Sequence, residues 1–272
     1  MCTVSFIARK HGYCLAMNRD EKLTRAQGLP PVKSLVAGRL VLCPFEPGGG
    51  TWIAVNDAGV CFALINWYAV KSPFHPTRVT RGEVVNRVKA QALPAQSSDI
   101  LKQLPLKQMS PFRVIGIFPA RREIFEWRWD SKRLDRRKHQ WLTRQFISSG
   151  FDEPTAQRVR SYTFHRSQRQ RSSGSLDWLR RLHRSHLPKR GPFSTCMHRS
   201  DAATVSYTEL IVSTNRATMR YRSGAPCQQC ALSVHAIPRR HSGCVIANVR
   251  HVSRVRQNRK SSRLGKALAA RT

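Results

Sequence analysis

Apolar and polar side chains alternate from the first residues of the chain. TVSFIAR and YCLAMN flank His11-Gly12 with apolar positions at every second place, which predicts a β-hairpin turning there. RLVLCPF and then GGGTWIAVNDAGVCFALINWYAV supply three more strands, the last two joined by a turn at Asn56-Asp57-Ala58-Gly59. The period then changes. RGEVVNRVKAQ and SDILKQL space their apolar residues as helices do, the second with Ser98 as its N-cap. PFRVIGIFP and EIFEWRWD return to strand, and FDEPTAQRVRSYTFHRSQRQ and SLDWLRRLHRSH read as two basic helices. GPFSTCMHR, ATVSYTELIV and RATMRYR close the order as a three-strand meander, and after Arg222 no period is sustained. A β-rich, helical, β-rich order, whose helices need sheet faces to cover, predicts an α+β architecture layered around two sheets.

The chain's 272 residues, 40% of them apolar, suffice for a sizeable core, but the net charge of +33 departs from an ordinary globular protein. Its distribution matters more than its size. Every acidic residue lies at or before Glu209, so residues 210–272 hold 13 Lys and Arg and no carboxylate side chain. A domain over residues 1–222 is expected, followed by a basic tail, residues 223–272, without fixed structure. Residues 1–20 lack a basic start and long apolar run, and nothing approaches the 18 apolar residues of a membrane span. Cysteines 2, 14, 43, 61, 196, 227, 230 and 244 are scattered, several in apolar stretches such as YCLAM and VCFALI. That usage suits reduced, buried thiols and predicts a reducing, cytoplasmic setting.

Cys2 directly follows the initiator methionine, and a small residue at that place permits removal of Met1. A cysteine so exposed carries its own base, because the α-amine, with an ordinary pKa of about 7.7–8.0, can take the proton of the thiol. A nearby cation favours the thiolate, and a nearby carboxylate can hold the amine. Arg19 and Asp20 offer both charges, since a hairpin turning at His11-Gly12 lays residues 18–21 beside residue 2. The plainer reading makes Cys2 a small strand residue and Asn18, Arg19, Asp20 and Glu21 a solvated turn.

MCTVSF, MNRDE, EPGGGTW and NDAGVCFALINWYAV together resemble the NRDE family, whose eukaryotic members are called transport and Golgi organisation protein 2. The resemblance runs over roughly residues 1–222, and GPFSTCMHRSDAATVSYTELIVSTNRATMRY is similar in style to bacterial members. It implies a four-layer αββα fold of the N-terminal nucleophile hydrolase type, with bile-salt hydrolases and penicillin V acylases as enzymatic relatives. Those enzymes use an N-terminal Cys as nucleophile, an Arg and an Asp on the next strand, and an Asn in the oxyanion hole. Cys2, Asp20 and Asn66 match these places. The arginine departs, because its place three residues before the Asp is held by Met17, while this chain offers Arg19 on the same strand face. The resemblance thus implies hydrolysis of an amide or related acyl bond of a small molecule. Asp20 would orient the α-amine, Arg19 would give electrostatic support, Asn66 would bind the oxyanion, and no cofactor would be required. Its alternative is noncatalytic binding or transfer of haem, an acyl group or another hydrophobic ligand on the same fold.

Other features favour structural readings. Gly48-Gly49-Gly50 precedes a strand rather than a helix and suits close backbone approach better than phosphate binding. Trp52, Trp67 and Tyr68 fit either an apolar cleft or the core. Asp20 and Glu21 fall on opposite faces of a strand, so they do not form an acid–base pair. His198 reads as a core or surface residue rather than a haem ligand. Cys227 and Cys230, with His235, His241 and Cys244, carry zinc-ligand types, but a second paired knuckle is missing, so metal binding ranks below chance clustering. Residues 121–190 hold 19 basic and 7 acidic residues, which predicts nonspecific, salt-dependent attraction to nucleic acid without a recognition motif.

Overall fold

The predicted hairpin is present, formed by β1 (Cys2–Arg9) and β2 (Gly12–Lys22), whose register runs from Cys2 opposite Arg19 to Arg9 opposite Gly12. Gly12 takes φ +117°, and a Cβ there would come within 1.9 Å of the Val212 carbonyl oxygen, so only glycine fits. A computed structural model of the chain describes residues 2–71 and 79–240. The chain continues through β3 (Leu29–Val36), β4 (Arg39–Phe45), β5 (Ile53–Asn56), β6 (Cys61–Asn66), α1 (Gly82–Val88) and α2 (Pro94–Lys102). Next come β7 (Phe112–Phe118), β8 (Glu123–Trp129), β9 (Leu134–His139), β10 (Arg144–Ser148), α3 (Glu153–Gln168) and α4 (Leu176–Arg184). The last described elements are β11 (Ala202–Val212), β12 (Arg216–Arg222) and β13 (Leu232–Pro238).

Two antiparallel sheets result, one in the order β10-β1-β2-β11-β12-β13 and the other in the order β3-β4-β5-β6-β7-β8-β9. Their facing sides share an apolar core that includes Val4, Phe6, Leu15 and Met17 from the first sheet and Ile53, Val55, Ile65 and Ile115 from the second. On the outer face of the seven-stranded sheet, Val84, Val85, Val88 and Leu101 of α1 and α2 pack with Phe62, Val114 and Trp127. On the outer face of the other, Phe164, Trp178, Leu179 and Leu182 of α3 and α4 pack with Ile7, Cys14 and Ala16. The layer order is α, β, β, α. Residues that alternate along one strand therefore serve two different cores, which is why β1 and β2 are buried along almost their whole length.

The periodicity missed four strands, and all four are edges. β10 and β13 end one sheet, and β3 and β9 end the other. An edge strand is paired on one side only and tolerates prolines and charges, as in LPPVKSLV and LDRRKH, so its alternation is weak. The sheet thus runs past Arg222, where the pattern was expected to stop, because β13 pairs with β12 from Arg222 opposite Leu232 to Arg216 opposite Pro238. Residues 241–272 of the expected tail lie outside the described residues. Two further readings change. Ser98 is not an N-cap but lies inside α2, which starts at Pro94, and its hydroxyl donates back to the Pro94 carbonyl at 3.0 Å. GPFSTCMHR forms a loop, with His198 making an isolated bridge to Ala203, rather than the first strand of a meander. Among the described residues, no helix is long and apolar enough to cross a membrane.

Candidate active site

Residues directly opposite in an antiparallel pair project to one face, so the Cys2–Arg19 register puts these two side chains together. Both lie at the end of the row that fills the core between the sheets, where the packing opens into a cleft of about 300 Å³. The seven-stranded sheet and its connections supply the other wall, including Glu46, Trp52, Asn66 and Arg81. Cys2 is 6% exposed. Burial pushes its thiol up from the ordinary range, Arg19 works in the opposite direction, and Asp20 and Glu21 add to the rise. As a thiol it needs a base before it can attack.

Arg19 is almost fully enclosed. Its Nη2 lies 2.5 Å from Glu46 Oε1 and 3.5 Å from Glu21 Oε2, and its guanidinium stacks over Trp52 at 4.5 Å. Arg25 reaches the same two carboxylates at 3.2 Å each, so two arginines and two glutamates alternate around the mouth of the cleft. Burial pushes the Glu21 carboxyl up, but the positive charges and the backbone N–H around it outweigh this and hold it below the usual carboxylate range. The solvated-turn reading of Asn18, Arg19 and Asp20 fails, because none of the three is more than 4% exposed.

Asp20 projects toward the helices. Thr204 donates its hydroxyl to Oδ1 at 2.6 Å, and Arg160 Nη1 lies 3.3 Å from Oδ2. Arg160 is fully buried on α3 and also donates to Thr3 Oγ1 at 2.8 Å and to the Pro192 carbonyl at 3.2 Å. Sequence reasoning missed it as one arginine of a basic helix. A signal existed, because Ala156, Arg160, Thr163 and Phe164 fall at core-facing spacing, a stripe on which an arginine requires a buried anion.

Asn18 shares the helix-facing side and clasps the neighbouring layer, its Nδ2 donating to the carbonyls of His183 at 3.0 Å and Thr195 at 2.8 Å. That fixes Oδ1 as an acceptor for His183 Nδ1–H at 3.0 Å, and leaves Nε2 to accept from the Ser5 hydroxyl at 2.9 Å. Burial and nearby Arg160 hold the His183 pKa down to about 3, so the folded protein keeps this ring neutral where an unfolded chain protonates it below about 6.5. Its contribution to stability is therefore complete above pH 6.5 and is lost as pH falls toward 3, by about 1.4 kcal/mol per pH unit. Urea unfolding between pH 7 and 5 should show this slope, and His183→Gln should flatten it. An unchanged slope in the variant would mean that the ring is protonated in the folded state.

Asn66 ends β6 in the cleft wall and donates Nδ2–H to the Tyr68 hydroxyl at 2.7 Å. Burial pushes that hydroxyl up, but the Asn66 bond and the positive charges near it, Arg81 among them, bring it below the ordinary phenol range. Trp52 lines the cleft, whereas Trp67 stacks with Arg128 at 4.1 Å. Of the glycine run only Gly50 makes a close approach, a Cβ there standing 3.3 Å from the Gly82 Cα, whereas Gly48 and Gly49 face open space and Gly49 takes φ +83°. Cys230 and His235 lie in the loop before β13 and on β13, Cys227 packs beside His198, and His241 and Cys244 lie outside the described residues. The structure thus brings Cys2, Arg19, Asp20 and Asn66 to one cleft, with Glu21, Arg25, Glu46 and Arg81 around them.

The family model for Transport and Golgi organisation 2 matches residues 1–148, from the start of the chain through the last residue of β10. The chain belongs to that family. No curated protein matches it. Among solved structures, penicillin V acylase from Agrobacterium tumefaciens is similar with a TM-score of 0.52 at 10% identity, over 88% of this chain and 86% of that one. A mutant of conjugated bile acid hydrolase from Clostridium perfringens is similar with a TM-score of 0.52 at 8% identity, over 92% of this chain and 100% of that one. A second variant of that hydrolase covers 93% and 100% at 9% identity, with the same TM-score. The fold of this family member is therefore of the N-terminal nucleophile hydrolase type. The family match spans Cys2, Arg19, Asp20 and Asn66, and it ends before Arg160 and Thr204, which both bond to Asp20.

Proposed function

We propose that this chain is an N-terminal cysteine hydrolase that cleaves an amide or related acyl bond of a small molecule. The observation that carries the reading is the Cys2–Arg19 register at the mouth of a cleft that Asn66 lines from the facing sheet. After removal of Met1, the α-amine of Cys2 takes the thiol proton, and sulfur attacks the substrate carbonyl carbon. Charge develops on the carbonyl oxygen, where an Asn66 N–H and the Arg19 guanidinium are the available stabilising groups. Collapse of the tetrahedral intermediate breaks the acyl bond, the leaving group takes the proton from the α-amine, and water then hydrolyses the thioester. Asp20, held by Thr204 and Arg160, orients the amine. The reading requires no cofactor.

A cleft of about 300 Å³ suits a small molecule. Its charged rim favours a polar substrate over haem or another apolar ligand, which would have to displace water from Arg25, Glu21 and Glu46. Free, mostly buried thiols support a reducing cytoplasmic setting. The test is chemical. Intact mass should show a chain beginning at Cys2, and a limiting dose of a haloacetamide probe should label Cys2 ahead of Cys14, Cys43, Cys61 and Cys196, each of which is buried. Retained Met1, or labelling spread over all the cysteines, would remove the nucleophile from the proposal. Haem binding of unchanged affinity in Cys2→Ala, with no labelling in the parent, would instead support the carrier reading.

A further inference from the structure

Outside this cleft, four metal-ligating side chains converge. The ligand atoms of His186, Cys196, His198 and Cys227 all lie within 4.8 Å of one another. His198 Nε2 is the hub, 3.2 Å from His186 Nε2, 3.5 Å from Cys196 Sγ and 3.4 Å from Cys227 Sγ. A tetrahedral zinc ion with Zn–N of about 2.0–2.1 Å and Zn–S of about 2.3 Å places its ligand atoms about 3.3 Å apart for N–N and about 3.6 Å apart for N–S. The three separations from His198 match edges of that tetrahedron, and the remaining pairs lie within 4.8 Å. We propose that His186, Cys196, His198 and Cys227 form a structural zinc site.

Three segments meet there. His186 follows the end of α4, Cys196 and His198 lie in the loop before β11, and Cys227 belongs to the connection between β12 and β13. Backbone hydrogen bonds set the loop independently of any ion, with Cys196 N–H donating to the Ser185 carbonyl at 3.0 Å and His198 N–H to the Gly191 carbonyl at 3.2 Å. Cys196 is fully buried, while Cys227 lies at the surface and gives the ion a way in. Two thiols lose their protons to solvent as the dication binds, so coordination adds no net charge to an already strongly positive chain. Ligation through Nε2 places the ring proton of His198 on Nδ1, so the guanidinium of Arg190, 3.3 Å from that nitrogen, would have to turn aside on metal binding. Four protein ligands leave no open position, so the ion is structural rather than catalytic.

The site also reaches the cleft. Between Cys196 and His198, the Met197 N–H donates to Thr204 Oγ1 at 2.9 Å, and that hydroxyl donates to Asp20 Oδ1 at 2.6 Å. Zinc would anchor the loop that holds Asp20's partner in place.

The experiment is metal analysis of the full chain, purified without chelator, incubated with zinc and dialysed, followed by cobalt substitution. One zinc per chain and the visible spectrum of tetrahedral cobalt with thiolate charge-transfer bands are expected. Cys227→Ser, a surface change, should keep the circular dichroism of the parent and reduce bound zinc to background, while Cys230→Ser should leave zinc unchanged. Zinc absent from the parent, or retained by both Cys227→Ser and Cys196→Ser, would overturn the site. So would loss of zinc in Cys230→Ser, which would move binding to the Cys227–Cys230 pair and the residues after it. A parent chain lighter by two hydrogens, with Cys196 and Cys227 joined in one peptide after digestion under non-reducing conditions, would reassign the cluster to a disulfide.

Discussion

Cys2→Ala protein should keep its fold and lose acyl transfer by at least about 10³-fold once an activated amide or ester substrate is in hand, because removal of a nucleophile leaves only binding and oxyanion stabilisation. The change deletes one sulfur at a strand end that is 6% exposed, so the cost in stability should stay near 1 kcal/mol. Two companions separate the roles of the neighbours. Asn66→Ala should lower turnover by about 10²–10³-fold if its N–H meets the oxyanion, with probe labelling of Cys2 little changed. Arg19→Ala should slow labelling itself and move its pH dependence upward, since the cation that opposes the buried thiol's rise is gone. Stopped-flow labelling across pH measures this. Turnover that survives in Cys2→Ala, or a labelling profile that Arg19→Ala leaves in place, would refute the assignment of nucleophile or of electrostatic support.

Arg160→Met should be the most destabilising single change near the cleft, at about 3–5 kcal/mol in urea unfolding, against a total of about 5–15 kcal/mol for a domain. The reason is the Asp20 carboxylate. With Arg160 gone, Asp20 is still 1% exposed but has lost its buried guanidinium, and Thr3 Oγ1 and the Pro192 carbonyl lose a donor as well. Asp20→Asn in the same chain should recover part of the loss, because an amide is cheaper to bury than a carboxylate that has lost its guanidinium, and a double-mutant cycle measures the coupling. A cost below about 1 kcal/mol for Arg160→Met, or additive effects of the two changes, would show that the pair does not act as a unit. If Asp20 orients the α-amine, labelling of Cys2 in the folded Arg160→Met protein should also slow.

The central strands, the helices and the nucleophile candidate are legible in the residues alone. TVSFIAR, YCLAMN and FRVIGIF stand out as strands because both of their faces are covered, which leaves short, nearly continuous apolar runs, and the hairpin at Gly12 follows from one tight turn. Placing Arg19 against Cys2 needed only that turn and the period of two, both local properties. The edge strands β3, β9, β10 and β13 were decided by tertiary structure, because pairing on one side asks little of the side chains and leaves little pattern. Long-range polar contacts were decided there too. Arg160 and Asp20 are 140 residues apart, Asn18 and His183 are 165 apart, and His198 and Cys227 are 29 apart. In a chain with 48 basic residues, composition does not mark which arginine is buried, and a Cys-x-x-Cys spacing drew attention to Cys230 rather than to His186, Cys196 and His198. Which charges meet depends on how two sheets and two helical layers stack, and a buried ion pair or a ligand set exists only once that stacking removes water from around it.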